Sequence, residues 1–143
     1  VISEPTSLVL RDMMREVVTI GTGKKGNVPG YDIIGKTGSA NKPVRGGYDD
    51  DALITSFLGA FPYSDPRYAL LVMLDEPQGI PETHNLTLAG WNAAPTAAEI
   101  IARAAPLLGV RPALHTPLPA REKMAAGADV PPLALKAEMP HAP

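Results

Sequence analysis

Apolar residues recur at helical spacing in two separate segments of the chain. The first segment predicts a helix over Pro5–Val18 that begins after Ser3 as its N-cap. Its apolar face is made of Leu10, Met13, Met14 and Val17, with Arg11, Asp12, Arg15 and Glu16 turned away. The second segment predicts a helix over Gly90–Leu108, with Trp91 packing at its start. Its apolar face is made of Ala97, Ile100, Ile101, Ala104 and Leu108, and should cover one face of a sheet.

Between these helices the pattern changes to short apolar runs that are rich in β-branched residues, as is typical of strands. We predict three strands, over Tyr31–Ala40, Ala52–Phe61 and Tyr68–Asp75. Loops are expected at residues 19–30 and 41–51, and a tight turn at residues 63–66. Because the connections are short, the strands should form an antiparallel meander. The predicted fold class is therefore α/β of the α+β type, with an antiparallel sheet and flanking helices.

Composition divides the chain at Gly109. Residues 1–109 have the pattern of a packed domain, whereas residues 110–143 are rich in proline and alanine and predict an extended or disordered tail. The formal net charge of -2, with no basic cluster beyond Lys24-Lys25, argues against nucleic acid as a partner. No apolar stretch in the sequence is long enough to span a membrane, and there is no cysteine.

The segment Lys36-Thr37-Gly38-Ser39-Ala40 ends the first predicted strand and carries the clearest candidate chemistry. Successive side chains of a strand point to opposite faces, so Thr37 and Ser39 share one face and Lys36 lies on the other. Two hydroxyls on one face can bind one carboxylate together, and Gly38 allows close approach of a ligand backbone. The alternative is that Lys36 is an ordinary exposed lysine at a strand end.

The sequence around this segment resembles that of class B penicillin-binding proteins. The resemblance rests on Tyr31–Ala40, Gly46-Gly47-Tyr48, Ile54–Pro62 and Leu70–Pro77 in that order, and it extends from Val1 to Pro112. It is greatest to the division-specific peptidoglycan D,D-transpeptidases of proteobacteria. These proteins combine S-x-x-K, S-x-N and K-T-G motifs in one cleft for serine acyl transfer. The resemblance implies that residues 1–109 are the C-terminal portion of a transpeptidase domain.

The resemblance also implies roles for individual residues. Lys36 would supply positive potential to the catalytic hydroxyls, and the backbone N–H of Ser39 would form half of the oxyanion hole. Residues Thr37, Gly38, Ser39 and Ala40 would bind the substrate, with the two hydroxyls holding its carboxylate. The family usually has threonine where this chain has Ser39, so the hydroxyl is kept. No cofactor or metal is implied.

The activity implied is cross-linking of peptidoglycan stem peptides that end in D-Ala-D-Ala, through an acyl-serine that β-lactams also form. The family members have an inner-membrane anchor ahead of a periplasmic catalytic domain, and other cell-division membrane proteins are expected as partners. Two alternatives keep the same fold. One is a β-lactamase or D,D-carboxypeptidase, which hydrolyses the acyl-enzyme, and the other is a non-catalytic domain that senses penicillin or binds a partner.

The catalytic serine is not found in this chain. Ser39-Ala40-Asn41-Lys42 matches S-x-x-K, but positions i and i+3 of a strand point to opposite faces, whereas this motif needs one face of a helix. Each of the other serines lacks a lysine three residues later and an asparagine two residues later: Ser3, Ser7, Ser56 and Ser64. We therefore expect the chain to be a C-terminal piece that is inactive in isolation.

The segment Gly21-Thr22-Gly23-Lys24-Lys25 resembles a phosphate-binding loop only superficially. It follows a predicted helix, and Lys25 stands where a phosphate-binding loop requires serine or threonine. Its glycines therefore call for a different explanation.

Overall fold

The computed structural model describes residues 2–113. Helix α1 spans Glu4–Thr19, and a three-stranded sheet follows, made of β1 (Ile34–Val44), β2 (Gly47–Phe61) and β3 (Tyr68–Asp75). Helix α2 spans Ala93–Leu107, and short 3-10 helices lie at Lys24–Gly26 and Pro81–Thr83. Ser3 caps α1 by accepting a hydrogen bond from the Thr6 backbone N–H, as predicted. No helix within residues 2–113 has the length and apolar character needed to cross a membrane.

The strands form an antiparallel sheet in the order β1-β2-β3, which confirms the predicted meander. The predicted loop over residues 41–51 is wrong, because β1 continues to Val44 and β2 begins at Gly47. Gly46 makes this two-residue turn possible with a φ of 100°. The segment looks like a loop in sequence because it is polar, but main-chain pairing in a hairpin does not require apolar side chains. The register shifts between Asn41 and Lys42.

Helix α1 buries only part of the predicted apolar face, since Met14 and Val17 are partly buried but the other two residues are not. Leu10 and Met13 are 43% and 58% exposed, whereas Asp12 and Arg15 bond to residues just outside the strands, Tyr63 and Asp32. The Arg15 guanidinium donates to the Ile33 carbonyl at 2.8 Å, next to the start of β1. Because Arg15 has specific partners there, polar contacts rather than the apolar repeat set the rotation of the helix. Val18, fully buried, ties the end of α1 to the core.

Helix α2 packs against β2 and β3, as predicted for a helix that covers one face of the sheet. Its buried face is made largely of alanine: Ala93, Ala94, Ala97, Ile101 and Ala105. Two residues of the predicted face, Ile100 and Leu108, are instead 42% exposed. The small alanine side chains allow the helix to approach the sheet closely, so the larger residues on its flanks are not needed for contact.

The ring of Phe57 is the largest fully buried side chain, and four glycines surround it. A Cβ atom would lie 2.8 Å from the ring at Gly26, 3.0 Å at Gly59 and 3.3 Å at Gly23, and would overlap it at Gly35. The glycines of the loop after α1 thus make room for an aromatic ring. This packing accounts for Gly23, which in sequence looked like part of a phosphate-binding loop.

The opposite face of the sheet is open in the part of the chain that the structure describes. Leu58, Leu71 and Met73 are 47%, 56% and 59% exposed there. Leu58 and Leu71 are directly paired across β2 and β3, so they form one apolar surface. Helices α1 and α2 both contribute to the core on the other face.

The chain packs back on the fold after α2. Val110 is 5% exposed and belongs to the core, and the Ala113 backbone N–H donates to the Gly30 carbonyl at 2.7 Å. The predicted tail over residues 110–143 begins with these residues, and its remainder, 114–143, lies outside the described part of the chain.

Candidate active site

All five residues of the candidate segment lie in β1, an edge strand of the sheet that residues 2–113 form. The side chains of Lys36 and Ser39 are exposed, and that of Thr37 is partly buried. The Lys36 ammonium donates to the Thr37 carbonyl at 2.7 Å. Ser39 is therefore open to a ligand that approaches along β1, whereas Thr37 is partly covered.

The strand register places the polar groups on two faces. Thr37 pairs with Phe57 and Ser39 pairs with Thr55, and both of these partners are fully buried on the helix-covered face. Directly paired residues share a face, so Thr37 and Ser39 lie side by side there. Lys36 pairs with Leu58 on the open face. The structure thus has the alternation that the sequence predicts.

The hydroxyl of Ser39 contacts the residues that precede α2. The Ala89 backbone N–H donates to Ser39 Oγ at 3.1 Å, and Ala89 is 1% exposed. The hydroxyl accepts in this bond, so its own proton is available to a ligand.

Asn92 fixes this part of the chain against the sheet. Its side-chain oxygen accepts hydrogen bonds from the Thr55 hydroxyl at 2.9 Å and from the Ala93 backbone N–H at 2.6 Å. Its amide donates to the Thr87 carbonyl at 2.7 Å. Our sequence prediction placed the helix start at Gly90 and missed Asn92, although asparagine before an alanine-rich helix is a typical N-cap signal.

The hydroxyl of Thr37 contacts Thr22, in the loop after α1. The two Oγ1 atoms are 2.8 Å apart. The loop also contacts the residues before α2, because a Cβ atom at Gly90 would lie 2.6 Å from the Thr22 carbonyl oxygen. The sequence predicts no role for Thr22, since a contact between residues 15 positions apart leaves no local signal.

An aromatic group borders this cluster. The ammonium of Lys25 lies 4.3 Å from the centroid of the Trp91 ring, at cation–π distance. The His84 ring meets Trp91 edge-on with centroids 5.3 Å apart. Trp91, partly buried, thus lies just ahead of α2, where our sequence analysis placed it as an anchor.

Gly38 has a reason within the fold for lacking a side chain. A Cβ atom there would lie 2.7 Å from Ser56 Oγ on the neighbouring strand.

Within residues 2–113, no group of three or more histidine, aspartate or glutamate side chains is placed to hold a metal ion. The groups that this surface offers to a ligand are the Lys36 ammonium, the hydroxyls of Thr37 and Ser39, and the strand backbone.

Comparison with known proteins identifies the family. A family model described as the penicillin binding protein transpeptidase domain matches residues 1–102. The chain belongs to this family. A probable peptidoglycan D,D-transpeptidase FtsI of Caulobacter vibrioides is 39% identical over 120 residues, covering 78% of this chain and 20% of that protein. Stage V sporulation protein D of Bacillus subtilis is also 39% identical, over 112 residues, covering 78% of this chain and 17% of that protein.

Solved structures confirm the fold class of this transpeptidase-family chain. The transpeptidase domain of penicillin-binding protein 3 from Burkholderia pseudomallei matches with a TM-score of 0.66 and 34% identity, covering 80% of this chain and 33% of that one. Penicillin-binding protein 3 of Mycobacterium tuberculosis, solved in complex with ampicillin, also matches with a TM-score of 0.66, at 30% identity, covering 82% of this chain and 27% of that one. The resemblance to penicillin-binding proteins is thereby confirmed, and the chain spans about one fifth of the length of the curated relatives cited.

Proposed function

We propose that the full-length protein is a peptidoglycan D,D-transpeptidase and that β1 of this chain forms one wall of its active site. The observation that carries the proposal is the arrangement of β1, with Lys36 on one face and the hydroxyls of Thr37 and Ser39 together on the other. It is supported by the family match over residues 1–102 and by relatives named as D,D-transpeptidases.

The catalytic serine of this proposal comes from residues outside this chain. Its oxygen attacks the carbonyl carbon between the two terminal D-alanines of a stem peptide. The C–N bond breaks, the departing D-alanine takes a proton at its amine, and an acyl-serine ester remains. An amine of a second stem peptide then attacks the ester, the C–O bond breaks, and the serine regains its proton. The product is a cross-linked peptide.

Residues 36–40 of β1 each have a part in this scheme. Thr37 and Ser39 hold the terminal carboxylate of the donor peptide, or the carboxylate of a β-lactam, by hydrogen bonds to a charged group. The Ser39 backbone N–H binds the developing oxyanion. Lys36 supplies positive charge on the open face, where the serine of the full-length protein would approach. Gly38 and Ala40 lie along the bound peptide.

The open face of the sheet offers a surface on which the rest of the active site could pack. Lys36 lies beside Leu58, and this face also carries the exposed Leu71 and Met73. An exposed apolar surface next to a site marks contact with further protein. We propose that the serine-bearing part of the full-length protein covers it, with a membrane anchor and the contacts to other cell-division proteins also outside this chain.

The test is an assay of the purified full-length protein with a D-Ala-D-Ala donor peptide and an amine acceptor, followed by mass spectrometry. A cross-linked peptide and free D-alanine are expected. Hydrolysed donor without cross-linked product would instead identify a carboxypeptidase, and an unchanged donor would identify a non-catalytic protein. A matched control is the isolated chain 1–143, which is expected to give no product and no covalent adduct with a fluorescent penicillin.

A further inference from the structure

We propose that Thr22 is a positioning residue, which sets the hydroxyl of Thr37 for binding the substrate carboxylate. The inference rests on the proposed function and adds a residue to it. Thr22 lies outside β1, in the loop between α1 and the 3-10 helix at Lys24–Gly26, and no sequence motif of the site includes it.

The geometry limits how the two hydroxyls share their protons. Thr22 Oγ1 and Thr37 Oγ1 are 2.8 Å apart, and one hydrogen bond between them uses one of their two protons. When an anion approaches Thr37, the favourable arrangement has Thr22 donating to Thr37 and Thr37 donating to the anion. Hydrogen bonds linked in a chain polarise one another, so this arrangement strengthens the bond to the carboxylate.

Ser39 is arranged in the same way. It accepts a hydrogen bond from the Ala89 backbone N–H at 3.1 Å, so its own proton can also be donated to a ligand. Each hydroxyl of the carboxylate-binding pair therefore contacts a group of the fold that can donate a hydrogen bond to it. For Ser39 that donor is a backbone group, whereas for Thr37 it is a replaceable side chain.

The position of Thr22 is fixed by its loop. The Gly23 backbone N–H donates to the Val17 carbonyl at 2.9 Å, which ties the loop to the end of α1. On the other side, Gly90 packs so closely that a Cβ atom there would lie 2.6 Å from the Thr22 carbonyl. With its backbone held between α1 and the start of α2, Thr22 presents its hydroxyl to Thr37 without reordering the loop.

The test uses the full-length protein and two forms of one β-lactam, a penicillin and its methyl ester. The ester lacks the charged carboxylate but keeps the reactive ring. We expect Thr22→Val to lower the second-order acylation rate by the free acid about tenfold, as for loss of one hydrogen bond to a charged network. The rate with the ester should change less than about twofold, and Thr22→Ser should restore the rate with the acid.

Other outcomes would overturn either the role of Thr22 or the proposed function, and they can be told apart. Equal loss with acid and ester would mean that Thr22 only supports the loop, and no loss with either would mean that it has no role; both results overturn the inference. A wild-type protein that neither form acylates would overturn the proposed function itself. If Thr22→Val does not fold, Thr22→Ala lacks the same hydroxyl, and the same selective loss with the acid is expected.

Discussion

The hydroxyl of Ser39 accepts a hydrogen bond from the backbone N–H of Ala89, a residue 50 positions later in the chain. This contact joins the middle of β1 to the segment that leads into α2. It gives Ser39 two tasks, because the same oxygen that stabilises the fold carries the proton proposed to bind a carboxylate.

We therefore predict that Ser39→Ala affects both stability and acylation. Ala89 is buried, and leaving its backbone N–H without a partner should lower the free energy of unfolding by about 1–3 kcal/mol. Ser39→Thr keeps the hydroxyl and should restore most of the acylation rate. Thermal unfolding and penicillin acylation of the full-length protein measure the two effects. Ser64→Ala, at an exposed turn position, is the control, and a Ser39→Ala protein that behaves like it would contradict the prediction.

Because four glycines surround the Phe57 ring, adding one methyl group there should strongly affect stability. Gly35→Ala would place a Cβ atom against the Phe57 ring and 2.9 Å from the Leu58 carbonyl oxygen. Overpacking of this kind should lower the free energy of unfolding by about 1–3 kcal/mol. Gly47→Ala is the matched control, since no atom lies within 4 Å of a Cβ there. The two variants are compared by denaturant unfolding, and equal stability would contradict the prediction that Gly35 has no room for a methyl group.

The pair of Tyr63 and Asp12 predicts a dependence on alkaline pH. The Tyr63 hydroxyl donates to the Asp12 carboxylate, and this bond, with some burial, raises the pKa of Tyr63 above its usual value. A raised pKa in the folded state means that the protonated form is favoured by folding. The contribution is complete below about pH 10 and is lost as the pH rises through the raised pKa of Tyr63.

Tyr63→Phe should remove this contribution, lowering stability by about 1 kcal/mol at pH 7 and flattening the loss of stability at alkaline pH. Tyr48→Phe, at a tyrosine that is 72% exposed, is the control. The measurement is the free energy of unfolding of the wild type and both variants between pH 7 and about pH 11. A Tyr63→Phe protein with the same pH dependence as the wild type would contradict the assignment.

The sequence predicted the strands, their order and the alternation of Lys36 and Thr37, because these follow from local β-branched runs, short connections and a period of two. It could not predict the rotation of α1, which depends on Arg15 reaching the Ile33 carbonyl, a partner 18 residues later in the sequence. For the same reason it missed Thr22, whose contact with Thr37 becomes visible only when the loop is folded against the sheet. Periodicity shows which residues of a helix or strand share a face. Specific polar contacts then determine which face packs against the rest of the fold.

The placement of β1 in the active site depends most on Lys36, and it is tested by the rate at which a fluorescent penicillin acylates the full-length protein. Lys42→Ala is the matched control, since Lys42 lies on the same strand and forms ion pairs with Asp75 at 2.9 Å and Glu76 at 2.7 Å. Ion pairs with such exposed partners contribute little to stability, so their loss should not disturb the fold. We predict that Lys36→Ala lowers the acylation rate about 10–100-fold while Lys42→Ala leaves it nearly unchanged. Equal rates for wild type and Lys36→Ala would contradict the placement of β1 in the active site.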